Sequence, residues 1–91
     1  MRYSLYKNRG WANVGLHFFG QAESDLRRAL ALERQRGAAH CLLALTLEAQ
    51  GKRSAAMGEW EPCAAYAPGD RDVEPDWRNL AQERLTQQEP K

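Results

Sequence analysis

The sequence has no long apolar run, few cysteines and almost no net charge, and each shortage removes a class of protein. No stretch approaches the roughly 20 apolar residues that a membrane-spanning helix needs. Residues 10–20, interrupted by Asn13, His17 and three glycines, make a poor signal-peptide core. Two cysteines, Cys41 and Cys63, are too few for a disulfide-stapled miniprotein and lack the paired close spacing of a zinc site. They are expected to be unpaired, with Cys63 acting as a small buried apolar residue, in a reducing, cytoplasmic setting. Thirteen basic against twelve acidic side chains give a net charge of +1, which leaves no whole-molecule field to draw nucleic acid or an anionic membrane.

Chemistry-bearing patterns are equally scarce. There is no glycine-rich phosphate loop and no HExxH helix. His17 and His40 have no carboxylate at a compelling spacing along the chain. His40 and Cys41, adjacent on a helix, point about 100° apart, which suits neither a nucleophile-base pair nor a metal. Asp70, Asp72, Glu74 and Asp76 alternate as calcium ligands would, but the loop glycine is missing and Glu74-Pro75 breaks the pattern, so a solvated loop is expected. No catalytic residue, metal site or cofactor is expected, and the chain reads as a non-enzyme.

What is present fits one small folded domain. The chain has 91 residues, 43% of them hydrophobic and 27% charged, with a mean hydropathy of -0.73. That apolar content is enough to fold and exceeds what disordered chains carry. Charge is unevenly placed: residues 1–53 hold nine Lys and Arg against four Asp and Glu, and residues 54–91 hold four against eight.

Apolar periodicity predicts an all-α fold of five helices. The first spans about 3–17, with Tyr3, Tyr6, Gly10, Val14 and His17 recurring at helical spacings. The second, 21–36, has Glu23 and Asp25 near its start and Arg34 and Arg36 near its end, the order the helix dipole favours. The third, 38–50, carries leucines around much of its girth and must be covered on more than one side. The fourth, 55–66, contains Pro62, which predicts a kink near Gly58 or an early end. The fifth spans 76–87 behind Pro75, with Pro90 beyond its end.

Sliding the chain along itself by one constant offset aligns Gly10 with Ala44, Ala22 with Ala56, Leu26 with Trp60, Ala29 with Cys63 and Leu32 with Tyr66. Small falls on small and large on large, which favours a repeat over a generic antiparallel bundle. Residues 40–68 resemble the tetratricopeptide repeat, whose period of about 34 residues is the same offset. The matching positions are His40-x2-Leu43-Ala44-x2-Leu47, then Gly51, then Ala56-x3-Trp60, Cys63 and Pro68. The first copy is looser, with Tyr6-x2-Arg9-Gly10-x2-Asn13 and His17 where the interhelix glycine would stand. The resemblance implies a short antiparallel α-solenoid, with repeats at about 3–36 and 37–70 and a capping helix and tail at 71–91.

The resemblance also implies a function, protein-protein interaction through a concave groove lined by the first helix of each repeat. By position, that groove would be formed by Ser4, Lys7, Asn8, Trp11 and Val14, then Cys41, Leu45, Glu48 and Ala49. Trp11 stands out as an interface anchor. The carboxylate clamp by which some members hold chaperone tails is not matched, since Trp11 and Leu42 stand where its asparagines belong. About three repeats are usually needed for stability, so two imply a missing neighbour. Either the chain ends a longer array, or it forms a homodimer through Tyr3, Leu5 and Tyr6, aided by pairing of its basic and acidic halves. The competing expectation is a nucleic-acid-binding accessory protein that uses the basic first half.

Overall fold

The protein is described by a computed structural model over residues 2–87. The tail that was expected to run on to residue 91, with Pro90, lies outside the described residues. Five α-helices follow one another: α1 (Arg2–Gly15), α2 (Phe19–Leu32), α3 (Gly37–Ala49), α4 (Arg53–Tyr66) and α5 (Pro75–Gln87), with a 3-10 turn at Ala67–Gly69. Among the described residues there is no strand, and the fold is all-α. Consecutive helices pack against each other, α1 on α2, α2 on α3, α3 on α4 and α4 on α5, while α1 also touches α3.

The two hairpins are built alike. Gly10, Ala22, Leu26 and Ala29 of the first are buried, and so are their counterparts one repeat further on, Ala44, Ala56, Trp60 and Cys63. Leu32 and Tyr66 break the match, since Leu32 is exposed and Tyr66 half-buried. The hairpin turns also correspond. His17 has φ 64° and Gly51, its counterpart in the second hairpin, has φ 77°. The left-handed conformation reverses the chain between antiparallel helices, and for a residue with a Cβ it costs roughly 1–2 kcal/mol. Glycine avoids that cost in the second hairpin. His17 accepts it in the first, where its ring stacks on Phe19 with centroids 5.3 Å apart.

The polar departures in the first hairpin have a structural reason. Arg9 donates two hydrogen bonds to the Asp25 carboxylate, at 3.1 and 2.8 Å, and Asn13 donates a third at 3.1 Å. Asp25 is buried, so a charged network fills the place of the leucine packing found in the second hairpin. The core lies mainly between α3 and α4, around Leu42, Leu43, Leu47 and Trp60, with Leu26 closing one side and Trp77 and Ala81 of α5 the other.

The ends of the first two helices differ from expectation, and the first stops at Gly15 rather than residue 17, because His17 takes a left-handed backbone. The second helix ends at Leu32 rather than Arg36, because Glu33 turns to an extended backbone (φ -143°, ψ 97°) and Arg36 serves as the N-cap of α3. Helix α4 runs through Pro62 to Tyr66 instead of stopping early. The proline removes only the N–H that would reach the Gly58 carbonyl, and the fully buried Trp60 and Cys63 on either side of it hold the turn in place.

The close approach of α1 and α2 depends on Gly10. A Cβ there would stand 2.7 Å from Leu26 Cγ and 2.9 Å from Cδ2, and Leu26 is fully buried. Overpacking of this kind costs ~1–3 kcal/mol, against the ~1 kcal/mol that alanine gains in helix propensity. Gly10→Ala should therefore lower unfolding stability in urea titration by about 1 kcal/mol. Gly58, with open space around it, should give the opposite sign: Gly58→Ala should raise stability by about 0.5–1 kcal/mol.

Candidate functional site

The residues expected to line a groove on α1 and α3 do not form one open face. Ser4, Asn8 and Ala49 are exposed, and Val14 and Leu45 are half-buried. The residues with the most chemistry to offer are already engaged within the chain. Lys7, only 5% exposed, donates a hydrogen bond from Nζ to Asp72 Oδ2 at 3.1 Å. Trp11, 39% exposed, meets Trp77 of α5 edge-on with ring centroids 5.1 Å apart. Glu48 accepts hydrogen bonds from Trp60 Nε1 at 2.9 Å and from Arg84 Nη2 at 3.1 Å.

Cys41 is corrected outright. It is fully buried and joined to Cys63 of α4 by a disulfide, so it lines no groove, and Cys63 is no free apolar filler. Neither cysteine among the described residues is unpaired. The pairing was hidden because the residues lie 22 apart in sequence, and only the α3–α4 hairpin brings their Cα atoms to 4.8 Å.

The segment at residues 70–77 is what occupies the α1 side, and it is no solvated loop at its start. Asp70 is buried: its Oδ2 accepts the Ala38 N–H at the start of α3 (3.0 Å), and its Oδ1 accepts the Asp72 N–H (3.0 Å). Arg36 donates from Nε to Asp70 Oδ2 at 3.3 Å and reaches Asp72 at 3.5 Å. The same guanidinium lies over the Tyr3 ring, 4.3 Å from its centroid. Gly37 packs against the backbone of Tyr66 and Ala67, where an added Cβ would come within 3.0 Å. One junction thus ties α1, the start of α3, the end of α4 and the approach to α5.

This junction also explains Tyr3, Leu5 and Tyr6. Tyr3 is buried against Ala29 and Ala39, and Tyr6 is half-buried, with the Arg9 and Arg28 guanidinium groups 5.4 and 5.6 Å from its ring. Of these three, Leu5, 58% exposed, is the one that presents an open apolar surface. Bases of the first half also pair with acids of the second inside the chain, through Lys7–Asp72 and Arg36–Asp70.

His40 does have a carboxylate beside it, supplied by the fold rather than by local spacing. Its Nδ1 lies 2.7 Å from Glu59 Oε1, and its Nε2 lies 2.7 Å from the Arg34 carbonyl oxygen. Both ring nitrogens are thus engaged within the chain. The pair borders an open cleft of roughly 440 Å³ between α2 and α4, floored by Leu30, Leu43 and Pro62. No group of acidic, histidine or cysteine side chains among the described residues is arranged to hold a metal. No described helix is long and apolar enough to cross a membrane.

No protein-family model matches the chain, and no curated protein or solved structure matches it either.

Electrostatics at the junction gives three tests. Burial pushes the Asp70 carboxyl up, but the Ala38 and Asp72 N–H groups and Arg36 outweigh it and hold the group below its ordinary value. Glu48 behaves alike, with burial opposed successfully by Arg84 and Trp60. Groups depressed on folding stabilise the native state above the ordinary carboxylate pKa of about 4, and lose that contribution as pH falls through the native values. Thermal melts should therefore show stability falling on acidification below about pH 4, and the fall should be smaller in Asp70→Asn. At neutral pH, Asp70→Ala should cost roughly 2 kcal/mol, because it strips the cap from α3 and leaves Arg36 only Glu33 and Asp72 as partners. Burial pushes the Tyr3 hydroxyl up to about 12 despite Arg36 nearby. An ultraviolet alkaline titration should show a phenolate component at about 12 that Tyr3→Phe removes.

Proposed function

We propose that the protein is a non-enzymatic interaction module that holds a partner protein or peptide along the side of the stack formed by α1 and α3. The observation that supports this reading most is the duplicated hairpin. Equivalent positions one repeat apart are buried in both copies, and the reversals at His17 and Gly51 are alike. Duplicated hairpins stacked in one direction make extended surfaces in repeat proteins, and their usual product is a binding face. On this ground we group the chain with the tetratricopeptide repeats.

The face available to a partner is narrower than the full set of groove positions. Ser4, Asn8 and Ala49 remain open, Trp11 is half-covered by Trp77, and Lys7 is held by Asp72. A partner on this side would contact the exposed edge of α1 and the end of α3, and would gain Lys7 only by displacing Asp72. Self-association stays within the proposal, with Leu5 as its apolar contact in place of the three residues together.

Nucleic-acid binding is the weaker reading. Of the nine basic residues in the first half, Lys7, Arg9, Arg27, Arg36 and Lys52 are ion-paired within the chain. Binding phosphates would require breaking those pairs or relying on the remainder.

Two charges on exposed positions test the module without touching the core. Asn8→Glu combined with Ala49→Glu should leave the thermal melt unchanged and reduce recovery of cellular partners on the immobilised protein at least tenfold. Unchanged recovery would defeat the α1–α3 assignment. Light scattering across micromolar concentrations should show a Leu5-dependent dimer. A monomer at every concentration would remove self-association from the proposal.

A further inference from the structure

The Cys41–Cys63 disulfide is not needed by the hairpin architecture. One repeat earlier, the equivalent positions are Lys7 and Ala29, and the first hairpin closes without a covalent link. The bond is therefore an addition to the second hairpin alone. It lies inside the more apolar hairpin, whose outer helix α4 is backed by α5. Small domains with too little apolar area are commonly stapled in this way.

Burial decides how the bond is made and whether it can be reversed. Both cysteines are fully buried, within a core that includes Ala38, Leu42, Trp60 and Trp77. Thiol–disulfide exchange requires a thiolate to reach one of the sulfurs. The folded protein denies that approach, so the bond must form before α3 and α4 close over it, while both cysteines are accessible in the folding chain. At that stage a reducing thiol pool would keep them as thiols.

We propose that this chain matures in an oxidising compartment and that Cys41–Cys63 is a permanent clamp on the α3–α4 hairpin, with no role as a reversible redox switch. In the oxidation, the Cys41 thiolate attacks a donor disulfide of the protein oxidoreductase class and expels one donor sulfur as a thiolate. The Cys63 thiolate then attacks the Cys41 sulfur of the mixed disulfide and expels the second. The chain loses two protons and two electrons, and the donor disulfide becomes a dithiol. This stands against the cytoplasmic expectation, which rested on unpaired cysteines together with the poor signal-peptide core at residues 10–20 and the lack of a membrane-length apolar run.

The test uses the protein from its native cells, quenched in acid, denatured and alkylated without reductant before mass analysis. The expected result is a majority of molecules carrying no alkyl group. A majority carrying two alkyl groups overturns the oxidising compartment. A second arm treats the oxidised protein with a dithiol reductant and alkylating agent, native or in denaturant. The native bond should resist for at least tenfold longer than the denatured one, and equal rates overturn the permanent clamp. In the third arm, Cys41→Ala combined with Cys63→Ala should lower the Tm by on the order of 10 °C, and an unchanged Tm removes the clamp.

Discussion

The contact between Arg36 and Asp70 is the joint on which the arrangement of the helices depends. Asp70 follows the 3-10 turn after α4, and its carboxylate accepts the Ala38 N–H in the first turn of α3 while holding Arg36. Because Arg36 also covers the Tyr3 ring, the start of α1 is locked to the same point. A carboxylate at a helix N-terminus gains from the unpaired backbone N–H groups and from the helix dipole. Buried, it gains further from a charged partner in a medium of low effective dielectric. Remove that group and three segments lose their common anchor, even though the apolar contacts between α3 and α4 remain.

Around this joint the hairpins pack by matching small against large. Gly10 and Ala22 admit Leu26, and Ala44 and Ala56 stand in the same relation to Trp60. The second hairpin is the more apolar and carries most of the core. The first substitutes an Arg9–Asp25–Asn13 network for part of that packing, which orients the helices through hydrogen bonds. The disulfide adds a covalent constraint to the apolar hairpin. It limits the unfolded chain, and closing a loop of this length adds on the order of 3 kcal/mol.

The same joint shapes the candidate interaction face. By drawing residues 70–77 towards α1, it places Asp72 on Lys7 and Trp77 on Trp11. Side chains that a repeat groove would offer to a partner are thereby engaged by the chain itself. What remains open is polar and small, at Ser4, Asn8 and Ala49. Part of the charge imbalance between the halves is met inside the molecule, where Lys7 and Arg36 pair with Asp72 and Asp70, so long-range attraction between copies has less to act on than the sequence total implies.

The five helices were legible along the chain, because apolar spacing at i, i+3 and i+4 and the breakers at Gly51 and Pro68 are local signals. So was the likeness of the two hairpins, since Gly10 with Ala44 and Leu26 with Trp60 keep one register along the chain. The pairing of Cys41 with Cys63, the burial of Asp70 beneath Arg36, the contact of His40 with Glu59 and the meeting of Trp11 with Trp77 came from the packing of the helices. Each joins residues from different helices or loops, and their meeting depends on how two hairpins and a long connection come to rest against one another. Periodicity fixes which face of a helix is buried. It does not fix which distant residue that face will meet.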